Sequence, residues 1–158
     1  MAPSPALLDT LASYVPARIV RRIADDPALP TGPVAEQFQA AVFFADISGF
    51  SQMAERLGQS GPSGTEELRR LINVYFDELI ALIAGHGGDI IKFAGDALFA
   101  IWPASARGET LSFVTLRATQ CALAAQKRLN NYPAADDWKL FLRVGVEAGD
   151  VLAAHVGG

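Results

Sequence analysis

Two short apolar runs separated by a three-residue break constrain this chain more than any other feature. Asp89-Ile90-Ile91-Lys92-Phe93 and Ala97-Leu98-Phe99-Ala100-Ile101-Trp102 flank Ala94-Gly95-Asp96. Short runs rich in β-branched and aromatic residues favour strands, and a Gly-Asp pair between two of them marks a hairpin. An antiparallel sheet is therefore expected near the middle of the chain. Upstream, Ala40-Ala41-Val42-Phe43-Phe44-Ala45 reads as a buried strand that ends at Asp46-Ile47-Ser48-Gly49-Phe50. Downstream, Leu140, Leu142, Val144 and Val146 alternate along a strand from Lys139 to Ala148. Gly149-Asp150 there predicts a second hairpin, returning as a strand over Val151 to Val156.

Helical periodicity fills the intervals. Ser51 to Leu57 is a short helix, with Asp46 or Ser48 near its cap, followed by a Gly- and Pro-containing loop over Gly58 to Gly64. Thr65 to Ala84 carries Leu68, Leu71, Ile72, Tyr75, Phe76, Leu79, Ile80 and Ile83 on one face. Thr65, Glu66 and Glu67 read as its capped, acidic first turn, and Gly85, Gly87 and Gly88 as its stop. Glu109 to Leu129 is a second long helix, and Asn130 to Asp137 a turn. The order βααββαββ predicts an α+β fold: a ferredoxin-like palm with a mostly antiparallel sheet and helices packed against it. Residues 1–35 form a separate N-terminal helix (Pro5 to Ile23, broken at Pro16) and a Pro-rich linker. Residues 36–158 form the main domain.

Composition narrows the chemistry. The 158 residues are 51% hydrophobic, which suits one globular domain and excludes a disordered chain. Thirteen basic against 17 acidic residues leave a formal charge of −4, with no basic block, so a nucleic-acid backbone is excluded as the main partner. A phosphate ligand would need metal ions or oriented backbone groups to offset that charge. The lone cysteine, Cys121, excludes an internal disulfide and a cysteine-based zinc site and reads as a packed core thiol. No apolar run nears the roughly 18 residues of a membrane span, and Met1 to Pro5 lacks a basic leader. A soluble, cytoplasmic protein is expected.

The candidate chemistry sits at two strand ends. Asp46 follows the first strand and Asp96 occupies the hairpin tip, and a palm sheet sets those two strands side by side. Two carboxylates followed by Ser48-Gly49 at a helix start suit Mg²⁺ and phosphates, because magnesium takes one or two carboxylates plus substrate oxygens. The N–H groups of Ile47, Ser48, Gly49 and Phe50 would face the phosphates, and Gly49 lets the backbone approach closely. The same two residues could instead be a helix cap and a turn former.

Three motifs carry a resemblance. Phe43 to Phe50 (FFADISGF) resembles the strand–loop–helix motif of class III nucleotidyl cyclases, and Gly87 to Leu98 (GGDIIKFAGDAL) resembles their central hairpin. Leu142 to Gly149 (LRVGVEAG) looks like their later strand motif. The Lys-Phe-Ala-Gly-Asp hairpin is most similar to the soluble, bicarbonate-responsive adenylyl cyclase branch. The resemblance covers about Gln39 to Gly158. It implies that Asp46 and Asp96, helped by the Ile47 carbonyl, ligate two Mg²⁺ or Mn²⁺ ions. It implies ATP as substrate, cyclic AMP and pyrophosphate as products, and a second cyclase domain, homodimeric or tandem, completing the site. Arg143 matches a phosphate-contacting position. Lys92 matches the base-selecting position, where a lysine donor suits the unprotonated N1 of adenine. In a pseudo-site the matching lysine helps bind bicarbonate, so a non-catalytic domain binding nucleotide or bicarbonate is the alternative. A diguanylate-cyclase-type palm fits less well, because Gly87-Gly88-Asp89 precedes the strand here and Gly95-Asp96 forms the turn. The family's second base-selecting residue and its transition-state Asn and Arg have no counterpart in residues 1–158. A C-terminally truncated cyclase domain, nearly inactive alone, is the resulting expectation.

Overall fold

The computed structural model describes residues 10, 12, 15–28, 32, 34–104, 108–134 and 138–155. Its elements are α1 (Ala17–Asp25), β1 (Val34–Ser48), α2 (Phe50–Gln59), α3 (Pro62–Gly85), β2 (Asp89–Ala94), β3 (Ala97–Pro103), α4 (Leu111–Leu129), β4 (Tyr132–Pro133) and β5 (Lys139–His155). The strands form one sheet in the order β2-β3-β1-β5-β4, and every pairing is antiparallel. The expected α+β palm is thus the observed fold. No described helix is long and apolar enough to cross a membrane.

Alternation along β1 separates the two faces of the sheet. Ala41, Phe43, Ala45 and Ile47 are buried and belong to one core cluster with Leu71, Tyr75, Leu79 and Ile83 of α3 and Val114, Ala118, Cys121, Ala125 and Leu129 of α4. The α3 residues recur every fourth position and so form one stripe on that helix. Burying each such large side chain contributes about 1.5–3 kcal/mol. The Tyr75 hydroxyl donates to the Leu129 carbonyl at 3.0 Å and ties α3 to the end of α4. Burial pushes the Cys121 thiol up to about 11, as suits a packed thiol with no charged partner. Val42, Phe44, Asp46 and Ser48 point to the other face, which α3 and α4 leave open.

The hairpin stands as expected: Gly95 takes a left-handed φ of 67° between β2 and β3. Four readings need correction. First, Gly149-Asp150 makes no hairpin. β5 runs unbroken because β1 begins at Val34, earlier than the apolar run, and offers partners all along it: Ala40 faces Gly149 and Val34 faces His155. Second, α3 begins at Pro62, not Thr65. Proline suits a first helical position, and the Thr65 hydroxyl donates back to the Gly61 carbonyl instead of capping. Glu66 and Glu67 therefore lie beyond the first turn and pair with Arg69 and Arg70. Gly64 falls inside α3, where a Cβ would collide with the Leu57 carbonyl oxygen at the end of α2. Third, neither Asp46 nor Ser48 caps α2. Its cap is Gly49, which makes no side-chain bond. Fourth, Tyr132–Pro133, inside the expected turn, pairs with Leu140 and Lys139. The expectations that fall on residues 1–9, 11, 13–14, 29–31, 33, 105–107, 135–137 and 156–158 lie outside the described residues. They include the first turns of the N-terminal helix, two prolines of the linker and the end of the last strand.

Candidate active site

The site is built by the crossing of β1, the hairpin tip and the start of α2. β1 and β3 pair so that Asp46 faces Ala97, which places the hairpin turn beside the end of β1. The Ile47 N–H donates to the Asp96 carbonyl at 3.3 Å and locks the two turns together. That amide is therefore spent and does not face a ligand, contrary to the sequence expectation. Gly49 then reverses the chain with a φ of 94°, and a Cβ there would lie 3.0 Å from the Lys139 carbonyl oxygen. Only glycine meets both conditions at low cost.

The result is a cleft of about 290 Å³ lined by Asp46, Ile47, Ser48, Gly49, Phe50, Ser51, Gln52 and Asp96. Both carboxylates are half-buried. Among the described residues, neither makes a side-chain hydrogen bond or an ion pair: Asp46 does not cap α2, and Asp96 sits in the hairpin turn with its carboxylate unspent. The opening turn of α2 lines the same cleft, and no side-chain cap satisfies its N–H groups. Sequence reasoning missed Ser51 and Gln52, and their position just after Gly49, in that first turn, was the available signal.

The donor set limits what the cleft could hold. Its side-chain and carbonyl donors are oxygens, which suits Mg²⁺ or Mn²⁺ and not a soft metal. No group of three His, Cys, Asp or Glu residues gathers there or elsewhere among the described residues. Two carboxylates make too few ligands for a cage, but match a cation that keeps waters and shares its shell with phosphate oxygens.

The other two predicted residues are on the same open face. Arg143 on β5 lies directly opposite Asp46, is exposed, and has no ion-pair partner among the described residues. Lys92 lies opposite Phe99, which lies opposite Phe44, so these three form the adjacent rung across the sheet. Lys92 lines not the carboxylate cleft but a separate groove of about 560 Å³, with Pro16, Arg18 and Ile19 of the N-terminal segment and Phe38, Ile101 and Val151 of the sheet. One chain thus brings the carboxylates and Ser48 to Phe50 into one cleft, sets Arg143 across from Asp46 on the neighbouring strand, and holds Lys92 in a separate groove.

The adenylate and guanylate cyclase catalytic domain matches residues 34–158. Adenylate cyclase 1 of Rhizobium meliloti is 30% identical over 152 residues, covering 94% of this chain and 21% of that protein. Adenylate cyclase type 10 of Oryctolagus cuniculus is 29% identical over 124 residues, covering 77% of this chain and 8% of that protein. The chain thus spans about a fifth or less of these relatives. Among solved structures, the adenylyl cyclase CyaB from P. aeruginosa superposes with a TM-score of 0.63 at 24% identity, over 75% of this chain and 60% of that one. A bacterial light-regulated adenylyl cyclase gives 0.68 at 24% identity, over 97% of this chain and 41% of that one. Those two likenesses bear on the fold.

Proposed function

Because the chain belongs to the adenylate and guanylate cyclase catalytic domain family, we propose that it forms part of a site converting ATP to 3′,5′-cyclic AMP and pyrophosphate. The observation that carries this reading is the pair of unspent carboxylates sharing one cleft with the opening turn of α2. Asp46, Asp96 and the Ile47 carbonyl are the groups that would hold two Mg²⁺ or Mn²⁺ ions. When bound, such ions supply charge stabilisation at the reacting oxygens and lower the cost of deprotonating the ribose 3′-hydroxyl.

The chain's own groups do the rest. The backbone N–H groups of Ser48, Gly49 and Phe50 orient the polyphosphate at a helix start, where a negative charge is favoured. Arg143, beside Asp46, offsets the charge that builds on the α-phosphate. The 3′-oxygen bonds to the α-phosphorus, the bond to the bridging oxygen of the pyrophosphate breaks, and the hydroxyl proton leaves to solvent. Lys92 donates to adenine N1, an acceptor, and would oppose the N1–H of guanine.

Support for a site shared by two domains comes from the distance between roles. Lys92 and the carboxylates share a face but not a cleft, so in a homodimer or tandem pair meeting through that face, each domain's Lys92 would serve the other's carboxylates. Phe44, 36% exposed at the centre of the face, is an apolar contact for such a partner. Without the transition-state Asn and Arg of the family pattern, the 158-residue chain alone turns ATP over slowly. ATP supply suits a cytoplasmic setting.

Calorimetry with a non-cyclisable ATP analogue and Mn²⁺ tests this reading. Wild type should bind, and Asp46→Ala and Asp96→Ala should lose binding. Lys92→Glu should turn the preference toward the GTP analogue. Binding that survives Asp46→Ala would favour the regulatory alternative. Brisk cyclic AMP production by the chain alone, lost in Asp46→Ala, would overturn the inactivity of the fragment.

A further inference from the structure

Helix α1 lies against the β2 end of the open face, and it is held there in an unusual way. None of its residues is buried. Its hold is polar. The backbone N–H groups of Ala17 and Arg18 donate to the two carboxylate oxygens of Asp89, at 2.8 and 2.9 Å. The Arg18 guanidinium pairs with Glu36 and stacks on the Phe38 ring, 3.8 Å from its centroid. Asp89 is thus the cap of a helix that lies far away in sequence. On either side of the contact the packing is loose, with one groove of about 560 Å³ toward β1, β3 and β5 and another of about 560 Å³ toward α3. Lys92 and Ile91 line both grooves.

The strand beneath is irregular. The β2–β3 register shifts between Ile90 and Lys92, so a bulge separates the latch at Asp89 from Lys92. A bulge makes a local bend that neighbouring contacts can bias. At this end of the open face Ala40 and Ile101 are 0% and 6% exposed, whereas Phe44, further along, is 36% exposed.

We propose that α1 is a releasable strap on the nucleotide-binding face, latched by Asp89 and Arg18, which walls the groove beside the exposed Lys92 when docked and widens it when released. A helix with no buried side chain belongs to the least stable part of a fold, where local opening is accessible. A partner or upstream signal that displaces α1 has the Asp89 and Arg18 contacts and the half-buried Ile19 and Val20 to free, and no fully buried side chain to extract. The part of this proposal that concerns nucleotide rests on the base-binding reading of Lys92; the latch itself does not.

The test uses the full chain as wild type, Asp89→Ala, Arg18→Ala and Lys92→Ala. Hydrogen exchange reports the latch: protection of the Ala17 and Arg18 amides should fall at least tenfold in Asp89→Ala, with β1 protection unchanged. Acylation of Lys92 by an amine-reactive ester, followed by mass spectrometry, reports access to the groove and should speed up at least threefold. A fluorescent ATP analogue with Mn²⁺ should bind at least threefold more tightly to Asp89→Ala and more weakly to Lys92→Ala. If Asp89→Ala loses β1 protection as well, Arg18→Ala carries the same three readouts. Unchanged α1 exchange in both variants overturns the latch. Changed exchange with unchanged Lys92 labelling overturns the strap's control of the groove. If exchange and labelling respond but nucleotide affinity ignores both Asp89→Ala and Lys92→Ala, the strap stands and the base-binding reading falls.

Discussion

Strand β2 has an aspartate at its start and another just past its end, and the two are used in opposite ways. Asp89 spends both carboxylate oxygens on the amides that open α1. Asp96 spends neither on a described residue, and nor does Asp46 beside it, although both line a cleft that a helix start faces. A carboxylate whose oxygens are taken by backbone N–H groups is a joint of the structure. Two half-buried carboxylates that bond to no described residue tie no parts of the fold together, which is what the proposed cation site requires. The difference between joint and site is therefore legible in where the hydrogen bonds go, and not in residue type or turn position.

The sharpest way to break this contrast is to remove the carboxylates one at a time. Asp46→Ala or Asp96→Ala should weaken metal-dependent binding of an ATP analogue by about 100-fold. The melting temperature should move by no more than about 2 °C, since no internal bond is lost. A large loss of stability would show instead that these residues are joints too. Gly49→Ala comes next. Its φ of 94° and the 3.0 Å approach to the Lys139 carbonyl should cost about 1–2 kcal/mol in urea unfolding. It should also lower analogue affinity about tenfold by shifting the loop amides.

Sequence patterns reached the turns that carry the candidate site better than the joints. The hairpin at Gly95-Asp96 was readable because a turn residue pair interrupted two apolar runs, and the α3 stripe because its period was strong. Gly149-Asp150 offered the same local signal and misled. There the long partner strand β1 holds the chain extended, and that is a tertiary fact. Polar Glu36, Gln37 and Gln39 gave no strand pattern of their own, yet pair with Ala153, Leu152 and Asp150. Pro62 did carry a helix-start signal, hidden among glycines and serines that read as a loop. Asp89 carried none, because its partners at Ala17 and Arg18 are distant in the chain.

The smaller expected effects sharpen the joint side of the contrast. Asp89→Ala should destabilise by about 1 kcal/mol, as loss of a helix cap does, and leave Mn²⁺ uptake without nucleotide unchanged. Asp89→Asn, which keeps one acceptor, should fall between it and wild type by thermal unfolding. Ser48→Ala should change stability by no more than about 0.5 kcal/mol, because the bond it removes, Ser48 hydroxyl to Phe141 carbonyl, is a long 3.4 Å.

Titration of the full chain with Mn²⁺, followed by the paramagnetic resonance signal of the free ion in the presence of a non-cyclisable ATP analogue, tests the central claim most directly. The wild-type chain should deplete free Mn²⁺, and the Asp46→Ala, Asp96→Ala double variant should leave it free while Asp89→Ala depletes it at least as fully as wild type. Equal depletion by wild type and the double variant would contradict the assignment of Asp46 and Asp96 as the metal-holding pair.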